Sequence, residues 1–286
     1  YLFEDKNGKK QVVDGRQRIS AILDFLEGKF KLNNLRILKQ FNGCCFADLD
    51  LKQQGVIEDF QLLFYIIQPP TPERVKYDIF DRVNRGGTPL NKQEMRNALY
   101  RGRCTRMLDK LCCSPEFLIA TGRSINKERM KDQYVVLRAM AFLMLHRGEF
   151  KDIPALQYRG DIDDFLARFM VYVNDNAPEK LIVDYENLFI RCMQISYDLL
   201  GENGFRFSGN GIRRPINMPL FEALSYLFSF VPEKIDYTWV SRLILDIESV
   251  KEEFDDSRYF SGNIDSTTSV SFRFDRMDKI INRIQL

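Results

Sequence analysis

A chain of 286 residues with a single histidine, His146, and a single tryptophan, Trp239, is poor in the side chains that most site chemistry uses. Imidazole is the usual acid/base group near neutral pH and the commonest zinc ligand, so a Ser-His-Asp triad must use His146 or not exist. An HNH-type nuclease site has no second imidazole to draw on. Long apolar runs are missing too. The longest, Ala139 to Leu145, is core-sized and far short of the roughly 20 residues that cross a bilayer, which excludes a membrane span. C-x-x-C spacing is absent: Cys44-Cys45 and Cys112-Cys113 are adjacent pairs, and Cys104 and Cys192 stand alone. That pattern reads as reduced thiols in a cytoplasmic protein rather than a disulfide framework or a zinc site. With 45% hydrophobic and 29% charged residues the composition is globular, which excludes disorder as the main state. The chain opens at Tyr1, inside what reads as a strand, so it is expected to begin partway through a longer protein, with its first domain incomplete.

The net charge of +2 hides an uneven distribution. Residues 1–110 carry 20 Lys+Arg against 14 Asp+Glu, and the remainder is net acidic. The excess concentrates at Arg82, Arg85, Lys92, Arg96, Arg101, Arg103 and Arg106, with Glu94 the one acid among them. Two readings stay open: a phosphate-holding surface, for a nucleotide or for DNA, or a solvated helix face.

Hydrophobic spacing divides the chain. Tyr1 to Asp14 reads as a hairpin turning at Lys6-Asn7-Gly8-Lys9. Ile19, Ile22, Leu23 and Leu26 then recur at helical spacing up to a stop at Gly28. Phe41–Leu49 and Phe60–Gln68 read as further strands, the second as a run buried on both faces. Thr71 to Val83 reads as a helix after the break at Pro69-Pro70, ended by Asn84-Arg85-Gly86-Gly87. A second helix follows over Leu90–Tyr100, with Asn91 and Glu94 spaced as a capping box. Beyond residue 102 the pattern is almost wholly helical, and Ser257–Ser271 reads as a polar loop. The expectation is an α+β protein with a small mixed domain over 1–102 and a mainly helical domain over 103–286.

Chemistry concentrates at Asp14-Gly15-Arg16-Gln17-Arg18, where a strand hands over to a helix. Unpaired N–H groups and the helix dipole favour an anion at such a junction. Gly15 permits close backbone approach, Arg16 and Arg18 offer planar forks to phosphate oxygens, and Asp14 is the residue type that holds magnesium or orients a water. The bland alternative is a β-turn whose arginines pair with acids such as Asp24 or Glu27. Three other positions are ambiguous by themselves: Glu94 as metal ligand or cap, Asn97 as base or backbone partner, and Gly86-Gly87 as cleft or helix stop. His146 reads as a cation at a helix end, the aromatics around Phe228, Phe230, Tyr237 and Trp239 as core, and Arg273 and Arg276 as residues that could touch DNA.

The stretch Val12 to Leu23 resembles the DGQQR motif of the N-terminal domain of GmrSD-type restriction enzymes, with Arg16 where that family usually has Gln. A second block, Ile79 to Leu99, is similar to that family's F…N…GG-x-x-L-x-x-x-E-x-x-N-A signature. Arg129-Met130 and Val136-Leu137-Arg138 resemble its helical extension. The resemblance implies a ParB/sulfiredoxin-like fold that binds a nucleoside triphosphate beside the motif turn. Asp14, Gly15, Arg16, Gln17, Arg18, Asn84, Arg85 and Arg96 are then the expected nucleotide-binding residues, and Asp14 carries a magnesium ion if hydrolysis occurs. The expected partners are the nucleotide, DNA, or a separately encoded nuclease that this chain regulates.

Overall fold

The computed structural model describes every residue except 5–7, 13, 69–70, 72–74, 76–78, 80–89, 209–212, 233–236 and 285–286. It divides into two compact units, Tyr1–Pro89 and Leu90–Leu286. The helix Lys92–Leu99 and its cap lie within the second of these units.

In the first unit the hairpin forms as expected. Strands β1 (Leu2–Glu4) and β2 (Lys10–Val12) pair antiparallel, Phe3 opposite Gln11. Strand β3 (Ile66–Ile67) joins the other edge of β1 in parallel, giving the order β2-β1-β3. Helix α1 (Arg16–Leu26) follows β2, and Gly28, at φ 71°, supplies the left-handed residue behind its end.

Two expected strands are corrected. Over Phe41–Leu49 the chain forms two short 3-10 turns, Lys39–Phe41 and Phe46–Asp48. Local polar bonds outcompete the extended form there. The Asn42 amide brackets Leu35, accepting from its N–H at 2.9 Å and donating to its carbonyl at 3.3 Å, and the Asp48 carboxylate accepts from the Cys45 N–H at 2.9 Å. Helix α2 (Leu51–Glu58) then starts at Asp50, whose carboxylate accepts from the Gln53 N–H at 2.8 Å while Gln53 bonds back to the Asp50 N–H. Of Phe60–Gln68 only Ile66 and Ile67 enter the sheet, and the run expected to be buried on both faces is open, with Leu63 80% exposed. The helix expected over Thr71–Val83 and the Gly86-Gly87 stop lie largely outside the described residues.

The second unit is a bundle of helices: α3 (Lys92–Leu99), α4 (Arg103–Cys112), α5 (Pro115–Ala120), α6 (Lys131–His146), α7 (Ile162–Asp175), α8 (Glu179–Leu200), α9 (Met218–Phe228), α10 (Tyr237–Asp255) and α11 (Thr267–Ile284). Helix α3 carries the expected capping box: Asn91 Oδ1 accepts from the N–H groups of Gln93 and Glu94, and the Glu94 carboxylate accepts from the Asn91 N–H at 2.7 Å. The segment Ser257–Ser271, expected as a loop, instead contains a 3-10 turn at Arg258–Phe260 and the first turn of α11.

Helices α6 and α9 are buried nearly all round and form the centre of the bundle. Phe221 packs against Phe117, Phe189 and Phe205, and Phe142 against Phe165, Tyr158 and Phe274. Through this apolar centre runs an ion network. The Arg138 guanidinium donates to Glu222 and, at 2.6 Å, to Asp265, while Arg273 reaches the other Glu222 oxygen at 3.2 Å. Arg138, Glu222 and Arg273 are fully buried, so each charge depends on the others for its solvation. No helix among the described residues is long and apolar enough to cross a membrane.

Candidate functional site

The turn between β2 and α1 has the geometry its sequence suggests. Gly15 stands at φ 94°, ψ 2°, a left-handed conformation that costs a side-chain-bearing residue, and it lets the chain reverse from strand to helix in one step. Helix bonding begins with the Ile19 N–H donating to the Gly15 carbonyl at 2.8 Å. The N–H groups of Arg16, Gln17 and Arg18 precede that first bond; no side chain caps them and no acid occupies the first turn. The positive end of an eleven-residue helix is therefore open. Arg16, Gln17 and Arg18 are exposed around it, and Asp14 is half-buried at its base.

The arginines do not pair with Asp24 or Glu27; those two acids both hold Lys29, whose ammonium donates to Asp24 and to Glu27 and is kept well above the usual lysine range by these bonds, that to Asp24 first. Arg18 instead folds back on Asp14 at 2.6 Å. Arg16 makes no ion pair among the described residues. The turn can thus present backbone donors and a guanidinium to an anion, and a carboxylate once Arg18 releases it. Among the described residues no group of three or more His, Cys, Asp or Glu converges to hold a metal. A magnesium ion at Asp14 fits only one that arrives on nucleotide phosphates, which supply most of its oxygens.

The remaining expected site residues lie elsewhere or outside view. Asn84 and Arg85 are outside the described residues. Arg96 belongs to the helical unit, where it is fully buried, donates to Gln93 at 2.9 Å and Asp163 at 2.8 Å, and lies over the Tyr134 ring. Its guanidinium is spent on holding α3 to α7. Glu94 is committed to the Asn91 cap and to Arg129 at 3.0 Å; burial opposes its charge, but those bonds outweigh burial and hold its carboxyl below the usual range. Asn97 resolves as a bridge between Gln93 and Gln133. Arg273 is buried in the ion network and Arg276 is paired with Glu253 at 2.8 Å, so neither presents a free charge to DNA. Phe228 is core and Phe230 half-buried, as is Trp239; the Tyr237 side chain lies outside the described residues.

His146 is the clearest departure. Its ring stacks on Phe274 at 3.6 Å and 9°, and Nε2 has no hydrogen-bond partner among the described residues. Burial, then the nearby Arg273 charge, pushes its pKa down to about 3, so the ring is neutral and does not serve as the expected cation at the end of α6. The signal that could have shown this is its spacing from Phe142, which puts both rings on one helix face.

Comparison with known proteins agrees with the family resemblance. Residues 1–101 match the family of the GmrSD restriction endonuclease, N-terminal domain. No curated protein and no solved structure matches the chain. Over that stretch the chain is similar to the N-terminal domain of a restriction endonuclease of the GmrSD type.

Proposed function

We propose that the Asp14–Arg18 turn binds the phosphates of a nucleoside triphosphate, within a module of a prokaryotic or phage-related restriction protein. The observation that carries this reading is the open N-terminus of α1 behind a left-handed Gly15, flanked by exposed Arg16 and Arg18. Gly15 brings backbone N–H groups close to the anion, Gln17 adds a side-chain donor, and Arg18 exchanges Asp14 for a phosphate oxygen. Asn84 and Arg85 keep the roles that the motif resemblance implies. Asp14, freed from Arg18, would hold a magnesium ion carried on the nucleotide, which would neutralise phosphate charge.

Calorimetry with nucleoside triphosphate and magnesium tests the binding. Arg18→Ala removes a charge-assisted contact worth about 1.5–3 kcal/mol, so affinity falls roughly ten-fold to a hundred-fold. Equal affinity in variant and parent sinks the reading. Hydrolysis, where it occurs, runs through Asp14, and Asp14→Asn lowers phosphate release while leaving part of the binding. Turnover that persists unchanged in that variant, or in excess EDTA, removes Asp14 from the chemistry.

A second reading, a non-catalytic regulator of a separately encoded nuclease, is favoured by the Asp14–Arg18 pair, which occupies the only carboxylate of the turn. Saturable nucleotide binding with no phosphate release selects it. A third, a DNA-binding module, predicts a duplex shift that weakens steeply between about 50 and 200 mM salt.

A further inference from the structure

The helical unit holds a cavity of about 440 Å³ beside α5 and the loop leading to α6. Its size lies within the range of small-molecule sites, roughly 300–1,000 Å³. Phe117, Leu118 and Ile125 give it an apolar lining, Arg123 and Lys127 are exposed cations on it, and Asp132 is a nearly buried carboxyl.

The wall between α5 and α6 is built rather than loose. Gly122 and Arg123 both take left-handed backbone conformations, at φ 57° and 51°, and the Arg213 guanidinium lies over Gly122, where a side chain would displace it. Arg213 is held there by Glu202 at 2.7 Å. Gly122 and Arg123 close α5: the Gly122 N–H donates to the Ile119 carbonyl at 2.9 Å and the Arg123 N–H to the Leu118 carbonyl at 2.8 Å, the bonding of a helix C-terminus, which fixes where Arg123 leaves the helix. Behind the wall the buried Arg206 donates to the Thr121 carbonyl at 3.1 Å and to the Ser124 hydroxyl. Among the described residues its bonded partners are carbonyls and a hydroxyl, with the Glu202 charge acting on it without an ion pair.

Arg123 and Lys127 have no ion pair among the described residues, although acids lie close. Glu128 is engaged with the Asn126 amide at 2.9 Å, and Asp109 accepts from Gln133 at 2.7 Å. Asp132 accepts from the Gln133 N–H with one oxygen, and burial raises its carboxyl above the usual range despite Lys127 nearby.

We propose that this cavity binds a small ring-bearing phosphate monoester, the class of the nucleoside monophosphates, at a site separate from the Asp14 turn. The ring lies on Phe117, Leu118 and Ile125, its amino group donates to Asp132, and the phosphate takes the Arg123 fork and the Lys127 ammonium. Nothing in this assignment depends on the nucleotide reading of the Asp14 turn.

Titration calorimetry of the whole chain with adenosine monophosphate, inosine monophosphate, adenosine and inorganic phosphate tests it. The expected result is one saturable site for adenosine monophosphate. Inosine monophosphate, which lacks the ring amine, binds more weakly, and adenosine and phosphate at least about ten-fold more weakly. Lys127→Gln, an exposed change, and Arg123→Asn, a residue that tolerates the left-handed backbone, each weaken binding about ten-fold or more, whereas Arg18→Ala leaves it unchanged. Three results overturn the assignment: no saturation by adenosine monophosphate into the millimolar range, equal affinity for adenosine, or binding that is lost in Arg18→Ala and kept in both loop variants.

Discussion

In the helical unit Phe142, Leu143, Phe221 and Leu224 are sealed from water, whereas in the front unit Ile37, Leu51, Leu63 and Phe60 lie open, Ile37 at 92% exposure. Both regions are rich in apolar residues, so composition does not separate them. What differs is partnership. Helices α6 and α9 are covered by neighbouring helices on every side, while the front unit has a three-stranded sheet of short strands and holds its turns by local polar bonds, at Asn42, Asp48 and Asp50. Burial at about 25 cal/mol per Å² stabilises the first arrangement; single hydrogen bonds of about 1 kcal/mol organise the second. The comparison teaches that the candidate nucleotide turn sits on the less buried of two regions, where exchange of Arg18 between Asp14 and a ligand disturbs little packing.

The largest effect is expected where burial and charge coincide. Glu222→Ala leaves Arg138 and Arg273 buried without their shared carboxylate and should cost about 3–5 kcal/mol in urea unfolding of the whole chain. A loss under about 1 kcal/mol would mean that water or a rearranged Asp265 replaces the network, and the contrast with the front unit would narrow.

Next in size is an acid response confined to the helical unit. His146 is neutral in the fold with a pKa of about 3, while the unfolded chain takes up that proton near 6.5. Between these values the unfolded state binds more protons, so stability is fully present above about pH 6.5 and falls as the pH drops towards 3. Comparison with His146→Phe, which keeps the stack on Phe274, should show on the order of 3 kcal/mol of this dependence by about pH 4. Parallel pH profiles in parent and variant would remove His146 as its source.

The smallest effect sharpens the comparison from the other side. Leu63→Ala should change stability by less than about 0.5 kcal/mol, against 2–5 kcal/mol for Leu143→Ala, with both read from denaturation midpoints. Similar losses at the two positions would show that the front unit has a core of its own around that run.

Features that depend on near neighbours were legible from the residues alone. Asn91 and Glu94 cap α3 because both partners lie within one helical turn, and Gly15 and Gly28 mark the ends of α1 because few other residues tolerate their φ. The Asp14–Arg18 turn was legible for the same reason. The strand expected over Phe41–Leu49 failed, and that over Phe60–Gln68 held only at Ile66–Ile67, because apolar runs report what a segment could bury, not what is present to bury it, and in the first segment Asn42 and Asp48 offered the backbone closer partners.

The sequence by itself determined the helical character of the larger unit, the caps and the strand-to-helix turn, since each is written in contacts a few positions apart. Tertiary structure alone decided the charges and the spaces. Arg138 and Glu222 are 84 residues apart, Arg96 and Asp163 are 67, and His146 meets Phe274 from another helix. Whether an arginine is a free phosphate ligand or an internal strut depends on which distant carboxylate the packed helices bring to it, because only the fold removes the water that would otherwise solvate both.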